Sequence, residues 1–163
     1  MILKKRLFSS TFKSHSPQDT LRLSSLLAEV LEGGEIVFLR GPIGAGKTTF
    51  VKGVAEAMGM PASPVSASFS LLKEYQSRTA RIYHIDLFRL KESDLRNLGF
   101  ESMLEDPKAI ILAEWPDIIS AFMPKDRLEL DFELQKGDSR KIKATAAGPV
   151  SERLLNVLNE SYK

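Results

Sequence analysis

The sequence predicts an α/β fold in which a mixed central sheet is flanked by helices, and three observations carry that prediction. Ile36, Val37, Phe38 and Leu39 stand in succession within Glu35–Arg40, and Ala109–Ala113 is the most apolar run in the chain. Strands covered on both faces read as such unbroken apolar runs. Stretches with leucines at helical spacing accompany them, and two pairs of strand-like segments joined by short polar turns add antiparallel hairpins, so the sheet is mixed.

In chain order, Ile2–Phe12 mixes apolar and basic residues and reads as an edge strand. Ser16 is a helix N-cap with Pro17 at the first helical position, where its missing N–H costs nothing. Leu21, Leu23, Leu26, Leu27, Val30 and Leu31 follow at helical spacing, and Gly33-Gly34 ends the helix. The strand Glu35–Arg40 leads straight into Gly41. Lys47–Met60 is rich in helix formers and stops before Pro61 and Pro64. Ser70–Tyr75 and Arg81–Asp86 form a hairpin across Gln76–Ala80, and a short helix over Glu92–Leu98 closes at Gly99. The second central strand, Ala109–Ala113, ends at Glu114. Leu128–Leu134 and Arg140–Ala144 pair around Lys136-Gly137-Asp138, and Val150–Leu158 is a final helix.

A length of 163 residues suits one domain spanning 1–163. The 23 Lys and Arg against 21 Asp and Glu leave a net charge of +2, too little to hold nucleic acid by electrostatics alone. The absence of cysteine excludes disulfides, thiolate metal sites and thiol nucleophiles. Ser9–Thr20 is polar where a secretory signal needs an apolar stretch, and no apolar run approaches the roughly 20 residues that span a bilayer. The expectation is a cytoplasmic protein with no membrane partner.

Gly41-Pro42-Ile43-Gly44-Ala45-Gly46-Lys47-Thr48 fits the phosphate-loop pattern G-x-x-x-x-G-K-[ST] and sits between a buried strand and a helix. In such a P-loop the glycines let backbone N–H groups turn inward around phosphates and the helix N-terminus adds a positive dipole. Lys47 then reaches the β- and γ-phosphates and the Thr48 hydroxyl ligates magnesium. A turn serving structure alone has no need of a lysine at a helix start, where the dipole disfavours it. The candidate ligand is ATP with magnesium, and Gly41, Ile43, Gly44, Ala45, Gly46, Lys47, Thr48 and Thr49 are the candidate binding residues.

Such a site needs an acidic group at the end of a neighbouring strand to hold the cation, and often another to orient the attacking water. Asp86 and Glu114 each end a predicted strand, at the edge where open α/β sheets bind ligands. With Lys47 they are the catalytic candidates, and with Thr48 the metal candidates. Ser66 and Ser68 lie in the first long loop after the P-loop helix and could add a hydroxyl. His84 reads as a structural strand residue, and Trp115 as packing or as a wall of the site.

Together these residues resemble the TsaE family, the small ATPase subunit of the machinery that makes threonylcarbamoyladenosine in tRNA. The family pattern runs G-D-L-G-A-G-K-T, S-P-T-F, H-F-D-L-Y-R and E-W. This chain has Gly41 to Thr48, Ser66-Ala67-Ser68-Phe69, His84-Ile85-Asp86-Leu87-Phe88-Arg89 and Glu114-Trp115 in the same order. Pro42 replaces an Asp, Ala67 and Ser68 replace Pro and Thr, and Phe88 replaces a Tyr. The resemblance implies magnesium held by Thr48 and Glu114 with Asp86 nearby. It also implies a nucleotide flanked by the Ser16 segment and the C-terminal hairpin near Arg140. Function by resemblance is ATP hydrolysis that resets a complex with TsaB-like and TsaD-like partners, in modifying an adenosine of tRNAs that read ANN codons. Contact with tRNA is then indirect, through the complex.

A small-molecule P-loop kinase is the alternative, but it needs an arginine-rich lid, and Arg78, Arg81, Arg89 and Arg96 are scattered over strand, turn and helix. A GTP switch lacks its signatures, since neither N-K-x-D nor D-x-x-G occurs. Arg40 precedes the loop and Arg89 follows the Asp86 strand end, so neither position has an evident claim to the γ-phosphate. Slow hydrolysis alone, with a partner completing the site, is the resulting expectation.

Overall fold

The computed structural model describes residues 8–60 and 71–163. Ser66, Ser68 and the first residues of the predicted strands beginning at Ile2 and Ser70 lie outside the described residues. The described strands are β1 (Phe8–Ser14), β2 (Ile36–Arg40), β3 (Leu72–Gln76), β4 (Arg81–Asp86), β5 (Ala109–Glu114), β6 (Leu128–Leu134) and β7 (Arg140–Ala146). The helices are α1 (Pro17–Ala28), α2 (Lys47–Ala57), α3 (Glu92–Asn97), α4 (Phe100–Glu105) and α5 (Pro149–Ser161).

The strands form one sheet in the order β1-β7-β6-β2-β5-β4-β3. Its centre, β6-β2-β5-β4, is parallel, while β3 on one side and β7 and β1 on the other run antiparallel to their neighbours. The sheet is therefore mixed, and helices flank it on both faces. Because strand side chains alternate between faces, the apolar run of β2 divides: Val37 and Leu39 join a core with Leu27 of α1, Val51 and Val54 of α2 and Leu155 of α5. Phe38 joins the opposite core with Leu95 of α3 and Phe100 and Met103 of α4. All six residues of β5 are buried, which is why this run shows no polar alternation.

Several boundaries differ from the sequence reading for local reasons. β1 runs on to Ser14 because it stays paired with β7 as far as Arg140. Helix α1 ends at Ala28, yet Leu31 beyond it is still buried. Gly99 ends one helix as expected, but a second short helix, α4, begins at once and buries Phe100 and Met103. After β5 the chain turns through a 3-10 segment, Pro116–Phe122. Both additions are shorter than the window in which helical periodicity can be recognised.

Candidate nucleotide-binding site

The carboxyl ends of β2, β4 and β5 converge. Asp86 pairs with Glu114 and Leu39 pairs with Glu114 in the strand registers. The order is carried past the strand ends, as Trp115 N–H donates to the Leu39 carbonyl at 3.1 Å and Leu87 N–H to the Glu114 carbonyl at 3.0 Å. Both carboxylates predicted at strand ends thus stand side by side where β2 hands over to the loop.

Two glycines fix the loop. Gly41 has φ +138°, and a Cβ there would come within 2.5 Å of the Phe132 carbonyl oxygen, so a side chain is excluded by conformation and by space. Gly46 has φ +99° and opens α2, an arrangement that L residues rarely adopt. The buried Lys47 ammonium donates to the carbonyls of Gly41 at 2.6 Å and Pro42 at 2.9 Å. Its nitrogen also lies 4.3 Å from the centre of the Trp115 ring, a cation–π contact. Burial pulls its pKa below the ordinary lysine value, against the opposing pull of Glu114 and Asp86. Since it is the Pro42 carbonyl that Lys47 uses, this contact does not depend on the side chain that replaces the family's Asp.

Trp115 takes φ +57°, unusual for a bulky residue and a mark of strain tolerated at a site. That backbone turn sets its ring beside Phe88, with centroids 4.9 Å apart. Trp115 is therefore a wall of the cleft.

Glu114 is 3% exposed. Its Oε1 accepts from Thr48 Oγ1 at 2.7 Å and meets His84 Nε2 at 2.8 Å. Burial pushes its pKa up, but the His84 and Thr48 hydrogen bonds and the Lys47 charge more than offset this and leave it below the ordinary carboxylate value. The group is an anion at neutral pH. Asp86 is half-buried and its Oδ1 accepts from the Phe88 N–H at 3.1 Å, which tightens the turn after β4.

An open cleft of about 560 Å³ is lined by Ile43, Gly44, Gly46, Lys47, Thr48, Thr49, Leu71, Asp86, Phe88, Arg89, Glu114 and Trp115. Of the other sequence candidates, Gly41 gives its carbonyl to Lys47, and Ala45 is the buried residue of the loop. Ser16 caps α1, its hydroxyl accepting from Asp19 N–H at 3.2 Å. Arg140 donates from Nε to the Ala45 carbonyl at 3.2 Å and from a terminal nitrogen to the Gly44 carbonyl at 3.4 Å. Ser14 lies opposite Arg140 in the β1–β7 register, so the start of α1 and the hairpin end stand on the same side of the loop.

Among the residues not singled out for the site, two with polar side chains belong to it. Arg89 lines the cleft with the loop, which its position in sequence did not show. His84, read as structural, is bonded to Glu114. The one sequence signal was parity: His84 lies two residues before Asp86, hence on the same strand face.

Thr48, Glu114 and Asp86 supply a hydroxyl and two carboxylates, hard oxygen donors suited to magnesium. Among the described residues no group of three or more His, Cys, Asp or Glu could hold a metal by itself. Magnesium commonly uses one or two carboxylates and takes its remaining ligands from water and substrate phosphates, and it is the Thr48, Glu114 and Asp86 oxygens that match such a donor set.

The family model for "Threonylcarbamoyl adenosine biosynthesis protein TsaE" matches residues 14–142. The chain is 32% identical over 148 residues to the Bacillus subtilis tRNA threonylcarbamoyladenosine biosynthesis protein TsaE, covering 91% of this chain and 92% of that one. It is 36% identical over 128 residues to the protein of the same name from Rickettsia conorii, covering 77% of this chain and 72% of that one. Among solved structures, Bacillus subtilis YdiB matches with a TM-score of 0.77 and 28% identity over 96% of this chain and 98% of that chain. Because the family model spans residues 14–142 and the Bacillus subtilis relative is matched over nine-tenths of both chains, the chain belongs to the TsaE family.

Proposed function

We propose that this protein is a magnesium-dependent ATPase that acts in the formation of threonylcarbamoyladenosine in tRNA, with TsaB-like and TsaD-like partners whose complex it resets. The observation that carries the ATPase reading is the convergence of Lys47, Thr48, Glu114 and Asp86 on one cleft. The names of its relatives supply the pathway. In this reading tRNA is reached through the complex, residues 1–163 work as one domain, and the setting is the cytoplasm. Among the described residues no helix is long and apolar enough to cross a membrane.

Lys47 binds the β- and γ-phosphates, exchanging its two carbonyl acceptors for charge-assisted bonds to phosphate oxygens. Thr48 and Glu114 would hold magnesium, which when bound would supply neutralisation of the charge developing on the transferred phosphoryl group. Asp86, beside Glu114 in the register, orients the attacking water or accepts its proton. Phe88 and Trp115 wall one side and limit access of bulk water. Ser16 and Arg140 flank the remainder of the nucleotide. Arg89 is the arginine that lines the cleft, but it is exposed, and a side chain free to move stabilises a transition state poorly unless a partner fixes it. Slow turnover alone follows.

The kinase alternative fares worse, because of the four arginines it would draw on, Arg78, Arg81, Arg89 and Arg96, Arg89 alone lines the cleft. Arg81 pairs with Glu74 and Asp106 at the base of β4, and Arg96 lies in α3. The test is complementation of a bacterium depleted of its own TsaE, with threonylcarbamoyladenosine in digested tRNA measured by mass spectrometry. The wild-type chain restores the nucleoside and Lys47→Ala does not. Equal restoration by both would overturn the proposal.

A further inference from the structure

His84 is 4% exposed, in the body of β4, and its Nδ1 is buried with no hydrogen-bond partner among the described residues. Leaving a buried polar atom unpaired costs stability. An apolar residue would fill this strand position without that cost, so packing alone does not account for the ring. What the ring gains is the 2.8 Å bond from Nε2 to Glu114 Oε1. An ionised carboxylate only accepts, so the proton of this bond belongs to Nε2. Thr48 Oγ1 donates to the same oxygen. Among the described residues neither side-chain bond falls on Oε2.

We propose that His84 is a positioning residue: its Nε2–H, acting with the Thr48 hydroxyl on Oε1, fixes the rotamer of Glu114 so that Oε2 faces the cleft as the cation-binding oxygen. The inference rests on the metal–nucleotide reading above. The register supplies the geometry. His84 pairs with Leu112 and Asp86 with Glu114, so His84, Asp86, Leu112 and Glu114 all lie on the sheet face from which α2 starts. His84 thus supports the carboxylate from behind, one strand pair below it. Groups that orient a metal ligand in this way typically contribute ten- to hundredfold to metal affinity or activity.

The test uses Mn²⁺ as the probe, with its affinity measured by electron paramagnetic resonance on protein saturated with a non-hydrolysable ATP analogue. His84→Phe removes the donor and keeps an apolar ring. His84→Gln keeps an N–H able to reach Oε1. The expected result is Mn²⁺ affinity about ten- to hundredfold weaker for His84→Phe and close to wild type for His84→Gln. Binding of the analogue in EDTA stays unchanged in both, because no metal is then held. Wild-type Mn²⁺ affinity in His84→Phe would overturn the proposal. So would parallel loss of metal-free analogue binding in both variants, which a purely structural role produces. If His84→Phe fails to fold, nitrogen NMR of the wild-type ring still decides: the Nε2–H tautomer is expected, and the Nδ1–H tautomer refutes it. Glu114→Gln separates the two levels. If it too leaves Mn²⁺ affinity unchanged, the metal reading itself fails; if it alone weakens binding, only the role of His84 fails.

Discussion

Replacing Glu114 in two ways separates its charge from its hydrogen bonds. Glu114→Ala leaves the Thr48 hydroxyl and the His84 Nε2–H without their acceptor. Thr48 is exposed and rehydrates, but His84 is buried, so the loss is about 1–3 kcal/mol for one unsatisfied buried group. For a chain of this length that lowers Tm by roughly 2–12 °C, at about 2–4 °C per kcal/mol. Glu114→Gln keeps an amide oxygen that accepts both bonds. It gives up their charge assistance, roughly 1 kcal/mol each, and is relieved of holding a buried anion, so stability stays within about 1 kcal/mol of wild type. For the cation the two variants are equivalent, since neither presents an anionic oxygen. Calorimetric titration of ATP with and without Mg²⁺, beside thermal unfolding, reads both effects. Loss of the Mg²⁺-dependent part of binding is expected in each variant, with a clear drop in Tm only for Glu114→Ala. Full Mg²⁺ enhancement in Glu114→Gln would refute the assignment of this carboxylate to the cation.

Lys47→Ala removes a charge-assisted bond worth roughly 1.5–3 kcal/mol, so ATP binds about ten- to hundredfold more weakly with the fold retained; unchanged affinity by calorimetry would contradict the role of the loop lysine. Gly41→Ala forces a side chain to within 2.5 Å of the Phe132 carbonyl at φ +138°, and backbone strain of about 1–3 kcal/mol should lower Tm and loosen the loop. A melting temperature equal to wild type would show that the close approach is not rigid. The pH response of Glu114 follows from its lowered pKa. The unfolded chain takes up this proton at a higher pH than the folded one, so the stability Glu114 contributes is present above the ordinary carboxylate pKa and is lost as pH falls through its folded value. Asp131, whose pKa burial raises, acts in the opposite sense, so comparing acid unfolding of wild type with Glu114→Gln isolates the effect. The wild-type curve should fall more steeply in that acid window, and superimposable curves would contradict it.

The parts of the fold that could be read from sequence are those whose signal is local. The unbroken apolar runs of β2 and β5 declare strands covered on two faces, and the P-loop pattern marks the turn between β2 and α2. The order of the sheet is not local. That β6 lies parallel to β2 while pairing antiparallel with β7 depends on a return of the chain that no residue pattern specifies. The same division runs through the site. Lys47, Thr48, Asp86 and Glu114 were legible because each sits at the end of an element with a motif around it. His84 was legible only as a face, because its bond to Glu114 exists only once β4 and β5 are paired in register. The wall made by Trp115 depends on a positive φ in a non-glycine residue, and nothing in the sequence announces that. Arg89 joins the cleft because the chain turns after β4, with Asp86 accepting from Phe88 N–H.

Steady-state ATP hydrolysis by the isolated chain, then with reconstituted TsaB-like and TsaD-like proteins, tests the central claim most directly. The account predicts turnover alone well below the roughly 10 s⁻¹ median of enzymes, stimulation by the partners, and no stimulated turnover in Glu114→Gln. Rapid turnover by the isolated chain, unchanged by the partners, would contradict it and reopen the kinase alternative.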